Sequence, residues 1–191
     1  GLPQDPTGRK LLALALARQH QVVQAVVAIQ AAIQLDPSSA TYRIEASALL
    51  TGLGRQDMAV AELLNAARLA PKTHSIIAEV AEQLARCGEH HHVIAIGEQA
   101  LALSSNDTKT RLILANSCFA LREWEKVITH LRKAGSLQVG FSLRLCDALV
   151  GANRLAEART ELDNLGQIAP DQPEVIIRTA SLFLKLQQWG E

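Results

Sequence analysis

Ala32-Ile33-Gln34-Leu35-Asp36-Pro37 and Ala66-Ala67-Arg68-Leu69-Ala70-Pro71 decide the fold. Each closes an apolar, helix-forming phrase with Ala-x-x-Leu-x-Pro, and the step from Pro37 to Pro71 sets a period. One more step of the same length reaches Ser105, which closes Ala100-Leu101-Ala102-Leu103-Ser104-Ser105. Two further steps fall just past Pro170, which comes three places early. Self-similarity at a fixed period of this size marks an array of small supersecondary units.

A period of this length with Ala-x-x-Leu-x-Pro at the hairpin end resembles the tetratricopeptide repeat. That family sets small residues where paired helices touch, at the eighth, twentieth and twenty-seventh places of the unit. The eighth place here holds Ala13, Ser47, Ala81, Ala115, Cys146 and Ala180. The twentieth holds Ala25, Ala59, Val93, Val127 and Ala158; the twenty-seventh holds Ala32, Ala66, Ala100, Ala134 and, as an exception, Leu165. The turn glycine of the family matches Gly54 and Gly88. Antiparallel helices approach closely only where side chains are short. Large apolar residues then fill the gaps: Leu16, Leu50, Leu84, Leu149 and Phe183 in the first helices, Ile29, Leu63, Leu131 and Leu162 in the second. One hairpin cannot bury both its faces, so stacked neighbours complete the core.

The resemblance implies an all-α chain, a right-handed α-solenoid of about five and a half helical hairpins over residues 6–191. Its units fall at about 6–39, 40–73, 74–107, 108–138, 139–172 and a truncated 173–191, after a linker at 1–5. First helices are expected near 7–19, 40–52, 74–86, 108–120, 140–151 and 173–186, and second helices near 22–35, 56–69, 90–103, 124–134 and 155–167. Asp36-Pro37-Ser38-Ser39 and Ser105-Asn106-Asp107 supply stops and caps, and Pro173-Glu174 a first helical turn. Most of the family's core aromatics are missing; Trp124 and Trp189 keep one place that holds Val22, Gln56, His90 and Leu155 in the other units. The shortened connection Gly135-Ser136-Leu137-Gln138-Val139-Gly140 predicts a break in the superhelical twist. Val175, Ile176, Leu182, Phe183 and Leu186 are left without a covering helix, so the chain reads as part of a longer array.

Composition excludes several classes of function. Lys plus Arg and Asp plus Glu are 19 each, so no global field draws nucleic acid or an anionic membrane. Aromatic residues make up 3%, too few for a base-stacking platform. No apolar run approaches the roughly 20 residues that insert across a bilayer. Leu11–Ala17 follows Arg9-Lys10 like a short signal segment but lacks a cleavage pattern, and a core helix is the better reading. Cys87, Cys118 and Cys146 match no zinc or redox spacing and read as small buried hydrophobes. Free thiols tilt the compartment toward the cytoplasm rather than the periplasm. The Ala-, Leu- and Gln-rich, Lys-poor wording reads as bacterial.

Little in the chain points to chemistry. His90-His91-His92, next to Cys87, is the sharpest metal-like feature. Successive helical residues point about 100° apart, whereas ligand pairs on a helix want spacings of three or four, so a packed or solvated turn is favoured. Gly52-Leu53-Gly54 lacks the preceding strand and the longer glycine pattern of a phosphate loop. Gly97 stands where sister units hold Ile29, Leu63, Leu131 or Leu162, which marks the third unit as a soft spot. No catalytic constellation and no cofactor motif is found, and the chain is read as no enzyme.

In the family, first helices line a concave groove, faced by the second, fifth, sixth, ninth, twelfth and thirteenth places. Carried over, these give Lys10 and Arg18, then Ile44 and Glu45, then Glu79, Glu82 and Arg86. The fourth unit contributes Lys109, Leu112, Asn116 and Phe119, and the fifth contributes Leu143, Arg144 and Asp147. The last half-unit adds Ile177, Arg178 and Lys185. A clamp for a C-terminal carboxylate is disfavoured, because Glu45 and Glu79 stand where amide or cationic residues would be needed. The surface reads as acidic in its middle and as apolar and basic in its C-terminal half, the expected anchor. The expected function is an interaction scaffold for a protein or peptide partner on the concave face. The alternative is a substrate-recruiting arm of a larger enzyme, such as a glycosyl- or sulfotransferase, or of an envelope secretion or polysaccharide-export machine. Self-association through open array ends is a third course.

Overall fold

The structure, a computed structural model, describes residues 5–135 and 139–188, and of residues 182, 183 and 185–188 the backbone alone. Residues 1–4, the connection at 136–138, Trp189, and the side chains of Leu182, Phe183, Lys185 and Leu186 lie outside the described residues. Eleven helices and no strand occur among the described residues. They are α1 (Pro6–Arg18), α2 (Val22–Leu35), α3 (Ala40–Gly52), α4 (Gln56–Leu69), α5 (His74–Arg86) and α6 (His90–Leu103). The chain continues with α7 (Thr108–Ala120), α8 (Trp124–Ala134), α9 (Val139–Gly151), α10 (Leu155–Ile168) and α11 (Pro173–Gln188). Every boundary lies within about two residues of the expectation from the repeat period.

The chain forms two compact units that divide between Thr110 and Arg111, inside α7. In the first, α1 packs on α2, α3 on α4 and α5 on α6, while α2–α3, α4–α5 and α3–α5 contacts join successive hairpins. In the second, α9 packs on α8, α10 and α11, and α10 also packs on α11.

The small places are the contact points. Ala13, Ala25, Ala32, Ala59, Ala66, Ala81, Ala100, Ala115 and Ala158 are all 0% exposed. A methyl group is the largest side chain that lets two helix axes close to the short end of the usual range. Ser47 fits the same place because its hydroxyl donates to the Ile44 carbonyl at 2.7 Å, which leaves no orphaned polar atom. Val93 and Val127 are as deeply buried, whereas Ala134 is only half-buried and Ala180 is exposed. Between these points Ile29, Leu63, Leu84 and Leu149 are completely buried, each contributing roughly 1.5–3 kcal/mol of transfer free energy. Gly97 is buried within α6. Val175, expected to lie uncovered, is buried instead, because α11 packs on both α9 and α10; Ile176, Ile177 and Leu184 remain exposed.

One turn design joins the two helices of each hairpin. The residues Gln21, Arg55, Glu89, Glu123 and Arg154 donate their amides to Leu16, Leu50, Leu84, Cys118 and Leu149 at 2.8–3.1 Å, five places back along the chain. That bond requires a left-handed residue just before the donor. Gly54 (φ 71°) and Gly88 (φ 76°) supply it without strain, but His20 (φ 61°), Arg122 (φ 58°) and Asn153 (φ 59°) do the same with a Cβ. The left-handed conformation costs an L-residue about 1–2 kcal/mol, partly offset by the greater chain entropy glycine loses. His20→Gly is therefore expected to raise stability by about 0.5–1 kcal/mol, read as a higher urea midpoint at unchanged slope.

Between hairpins the caps are those foreseen. Asp36 accepts from the Ser38 amide and hydroxyl at 3.2 and 2.7 Å, and Ser39 caps α3 through the Tyr42 amide at 3.4 Å. Asp107 caps α7 by accepting from the Thr110 amide and hydroxyl at 3.1 and 2.6 Å. Asp5 caps α1 by accepting from the Gly8 amide at 2.8 Å, so the ordered helical turn begins inside the stretch read as linker.

Candidate functional site

The residues expected on the partner face fall into both units. In the first, Glu45 pairs with Lys10 at 3.5 Å. Glu82 meets Lys109 at 2.5 Å and Arg86 at 3.1 Å. The Lys109 hydrogen bond, against the opposing effect of burial, holds the Glu82 carboxyl below its ordinary pKa. Glu79 is exposed. Glu45 and Glu82 are thus matched by cations, Arg86 on the same helix as Glu82 and Lys10 and Lys109 on neighbouring first helices. Ile44, carried onto the same face, is 4% exposed and belongs to the core.

In the second unit the expected residues converge. The Arg144 guanidinium lies over the Phe119 ring, 5.4 Å from its centroid, and hydrogen-bonds the Asn116 amide oxygen. Phe119 meets Trp124 edge to face, with centroids 5.3 Å apart and planes at 78°. Arg178 on α11 grips both oxygens of Asp147 on α9, at 2.9 and 3.1 Å, and this bond raises the Arg178 pKa above its ordinary value. Ile177 is 62% exposed beside it, and Leu112 is half-buried. Leu143 departs from the expectation: it is 6% exposed and packs into the core, because α9 is flanked by α8, α10 and α11 and has little free circumference.

Phe119, Trp124, Asp147 and Arg178 line a pocket of about 560 Å³ with Arg122, Val150, Gly151 and Ser181. Trp124 and Gly151 were not among the residues expected at the site. A Cβ built on Gly151 would stand 2.6 and 2.7 Å from Trp124 Cε2 and Cδ2, so the indole lies directly on the α9 backbone. At the equivalent place Gly52 faces only Val22, 4.0 Å away. The signal was present in the sequence: Trp124 stands at a place that holds Val22, Gln56, His90 and Leu155 in other units, and Gly151 at the place of Gly52. Cys146 forms part of the pocket floor, where burial, aided by nearby Glu161 and Asp147, pushes its thiol up to about 12. It is a neutral wall rather than a nucleophile.

No protein-family model matches the chain, and no curated protein matches it. Solved structures do. YrrB, described as a TPR protein with an unusual peptide-binding site, matches with a TM-score of 0.71 at 16% identity, over 91% of this chain and 91% of its own. The chain has the tetratricopeptide-repeat fold. MamA from Desulfovibrio magneticus RS-1 matches this TPR fold with a TM-score of 0.69 at 14% identity, over 91% of this chain and 99% of its own. PilF of Pseudomonas aeruginosa matches with a TM-score of 0.61 at 16% identity, over 96% of this chain and 91% of its own.

The histidine run opens α6 of the TPR fold. His92 Nδ1 lies 3.2 Å from Glu89 Oε2, and Cys87, half-buried rather than buried, places its sulfur 3.8 Å from the Thr51 hydroxyl. Among the described residues no three His, Cys, Asp or Glu side chains are grouped to hold a metal ion. No described helix is long and apolar enough to cross a membrane.

A charge cluster joins α8 and the start of α10. Glu157 on α10 accepts from Arg154 at 2.7 and 2.8 Å and from Arg132 on α8 at 2.7 Å, while Arg154 also reaches Glu125 at 2.9 Å. The Arg154 bonds, then the Arg132 bond, lower the Glu157 pKa from 4.5 to about 2. A carboxyl with a depressed folded pKa stabilises the fold fully above its unfolded value, and that stabilisation is lost as pH falls toward the folded one. Between about pH 6 and about pH 3, Glu157→Gln is therefore expected to lose less of its melting temperature than the parent chain. Scanning calorimetry at both pH values checks this.

Proposed function

We propose that the chain is an interaction scaffold that holds a partner peptide or protein on the face of its first helices, with the anchor in the second unit. The observation that carries this reading is the Arg144–Phe119 stack, pinned by Asn116 and set beside the pocket of about 560 Å³. Arg and aromatic side chains dominate binding energetics when a partner excludes water from them. Here they are already fixed by their neighbours, so little rotamer entropy remains to be lost on association. The fold itself supports the reading, since TPR arrays present their first helices as a concave surface and YrrB has a peptide-binding site. The first unit offers a weaker counterpart, its carboxylates being matched by Lys10, Arg86 and Lys109.

The test is affinity capture from the native lysate with the parent chain and with Arg144→Glu combined with Arg178→Glu. Proteins retained by the parent should be absent or strongly depleted on the charge-reversed chain. Undiminished recovery of the same proteins would refute the placement of the anchor.

A further inference from the structure

Resting on that reading, we propose that the second-unit pocket receives one aromatic or large aliphatic side chain of an acidic peptide segment. Two observations point to this occupant. The first is the lining. Phe119, Trp124, Val150 and the Gly151 backbone form a continuous apolar wall, and Cys146 adds a thiol that stays neutral. Clefts of roughly 300–1,000 Å³ lined this way take compact apolar groups, and polar groups at the edge orient them. The absent Cβ at Gly151 leaves the room in which Trp124 lies against α9.

The second observation is charge. Arg122 and Arg178 line the pocket, and Arg144 stands over Phe119 at its edge. The carboxylates beside them are Asp147, which Arg178 occupies, and Glu174, which also acts on Arg178. Glu161 acts on Cys146 but lines a different pocket, with Leu131 and Leu145. The rim therefore carries an excess of positive charge over an apolar floor. An anchor side chain flanked by Asp or Glu matches both features, and one flanked by Lys or Arg is repelled. Arg144 and Arg122 are the groups placed to meet the flanking carboxylates, and Asn116 sets the position of the first.

Three fluorescein-labelled heptapeptides, capped at both ends so that no terminal charge contributes, test the proposal by anisotropy with the full chain. They are Asp-Glu-Asp-Phe-Glu-Asp-Glu, the same peptide with Ala in place of Phe, and a Lys heptapeptide with Phe at its centre. The acidic Phe peptide should bind about tenfold or more tightly than either of the others. Ser181→Phe, which plugs the pocket from α11, should erase the difference between the two acidic peptides, and Arg144→Glu should weaken both. Equal affinity of the acidic Phe and Ala peptides for the parent chain overturns the proposal, as does failure of all three to bind. Should Ser181→Phe unfold, the comparison on the parent chain decides alone. If the peptides fail while lysate capture still depends on Arg144 and Arg178, the pocket preference falls and the scaffold reading stands. Loss of that dependence removes the scaffold reading itself.

Discussion

Leu149→Ala is expected to lower the unfolding free energy by about 2–5 kcal/mol. Leu149 is completely buried on α9, the helix that packs on α8, α10 and α11. Truncation removes three carbons of transfer free energy and leaves a void whose walls cannot close. Ala148 on the same helix and Ala158 on α10 are also fully buried, so α9 has little slack along which to move inward. Urea denaturation followed by far-ultraviolet circular dichroism checks the value, with a lower midpoint at unchanged slope as the expected form. Ile177→Ala is the control: with that side chain 62% exposed, its change should stay within about 0.5 kcal/mol.

Phe119→Ala and Arg144→Ala are each expected to weaken binding of a captured partner by about 1–3 kcal/mol, with little effect on the fold. The two should not be additive. Without the ring, Arg144 loses the surface it stacks on; without Arg144, Phe119 keeps its edge-to-face contact with Trp124 but loses its cover. The double variant should therefore cost less than the sum of the singles, a coupling characteristic of residues in contact. Glu79→Ala, at an exposed position in the first unit, should leave affinity within about 0.5 kcal/mol. Isothermal titration of the partner against the parent chain and the four variants separates these cases.

The fold was legible because its determinant is local and repeated. A short side chain is favoured where paired helices cross, and the preference recurs at the same places in most units, with Val93, Val127 and Leu165 as departures. Ala13, Ala59 and Ala100 therefore announce the crossings without knowledge of what they touch. The candidate site was legible only in part, because a place in a repeat fixes direction but not surroundings. It brought Asn116, Phe119, Arg144, Asp147 and Arg178 to one region. It also placed Leu143 on the surface, since the number of helices crowding α9 is a tertiary property. The sign of Glu45 and Glu82 could be read, but not that Lys10 and Lys109 sit close enough to neutralise them. The seat of Trp124 on Gly151 depends on the register between successive hairpins, which a single unit does not encode.

The central claim is that a partner is held by the first helices of the second unit. Hydrogen exchange of the chain with and without its captured partner tests this most directly. Slowed exchange is expected in peptides covering 111–124, 142–151 and 173–181, with the rest of α8 and α10 unchanged. Protection confined to α8 and α10, or to the first unit alone, would contradict it.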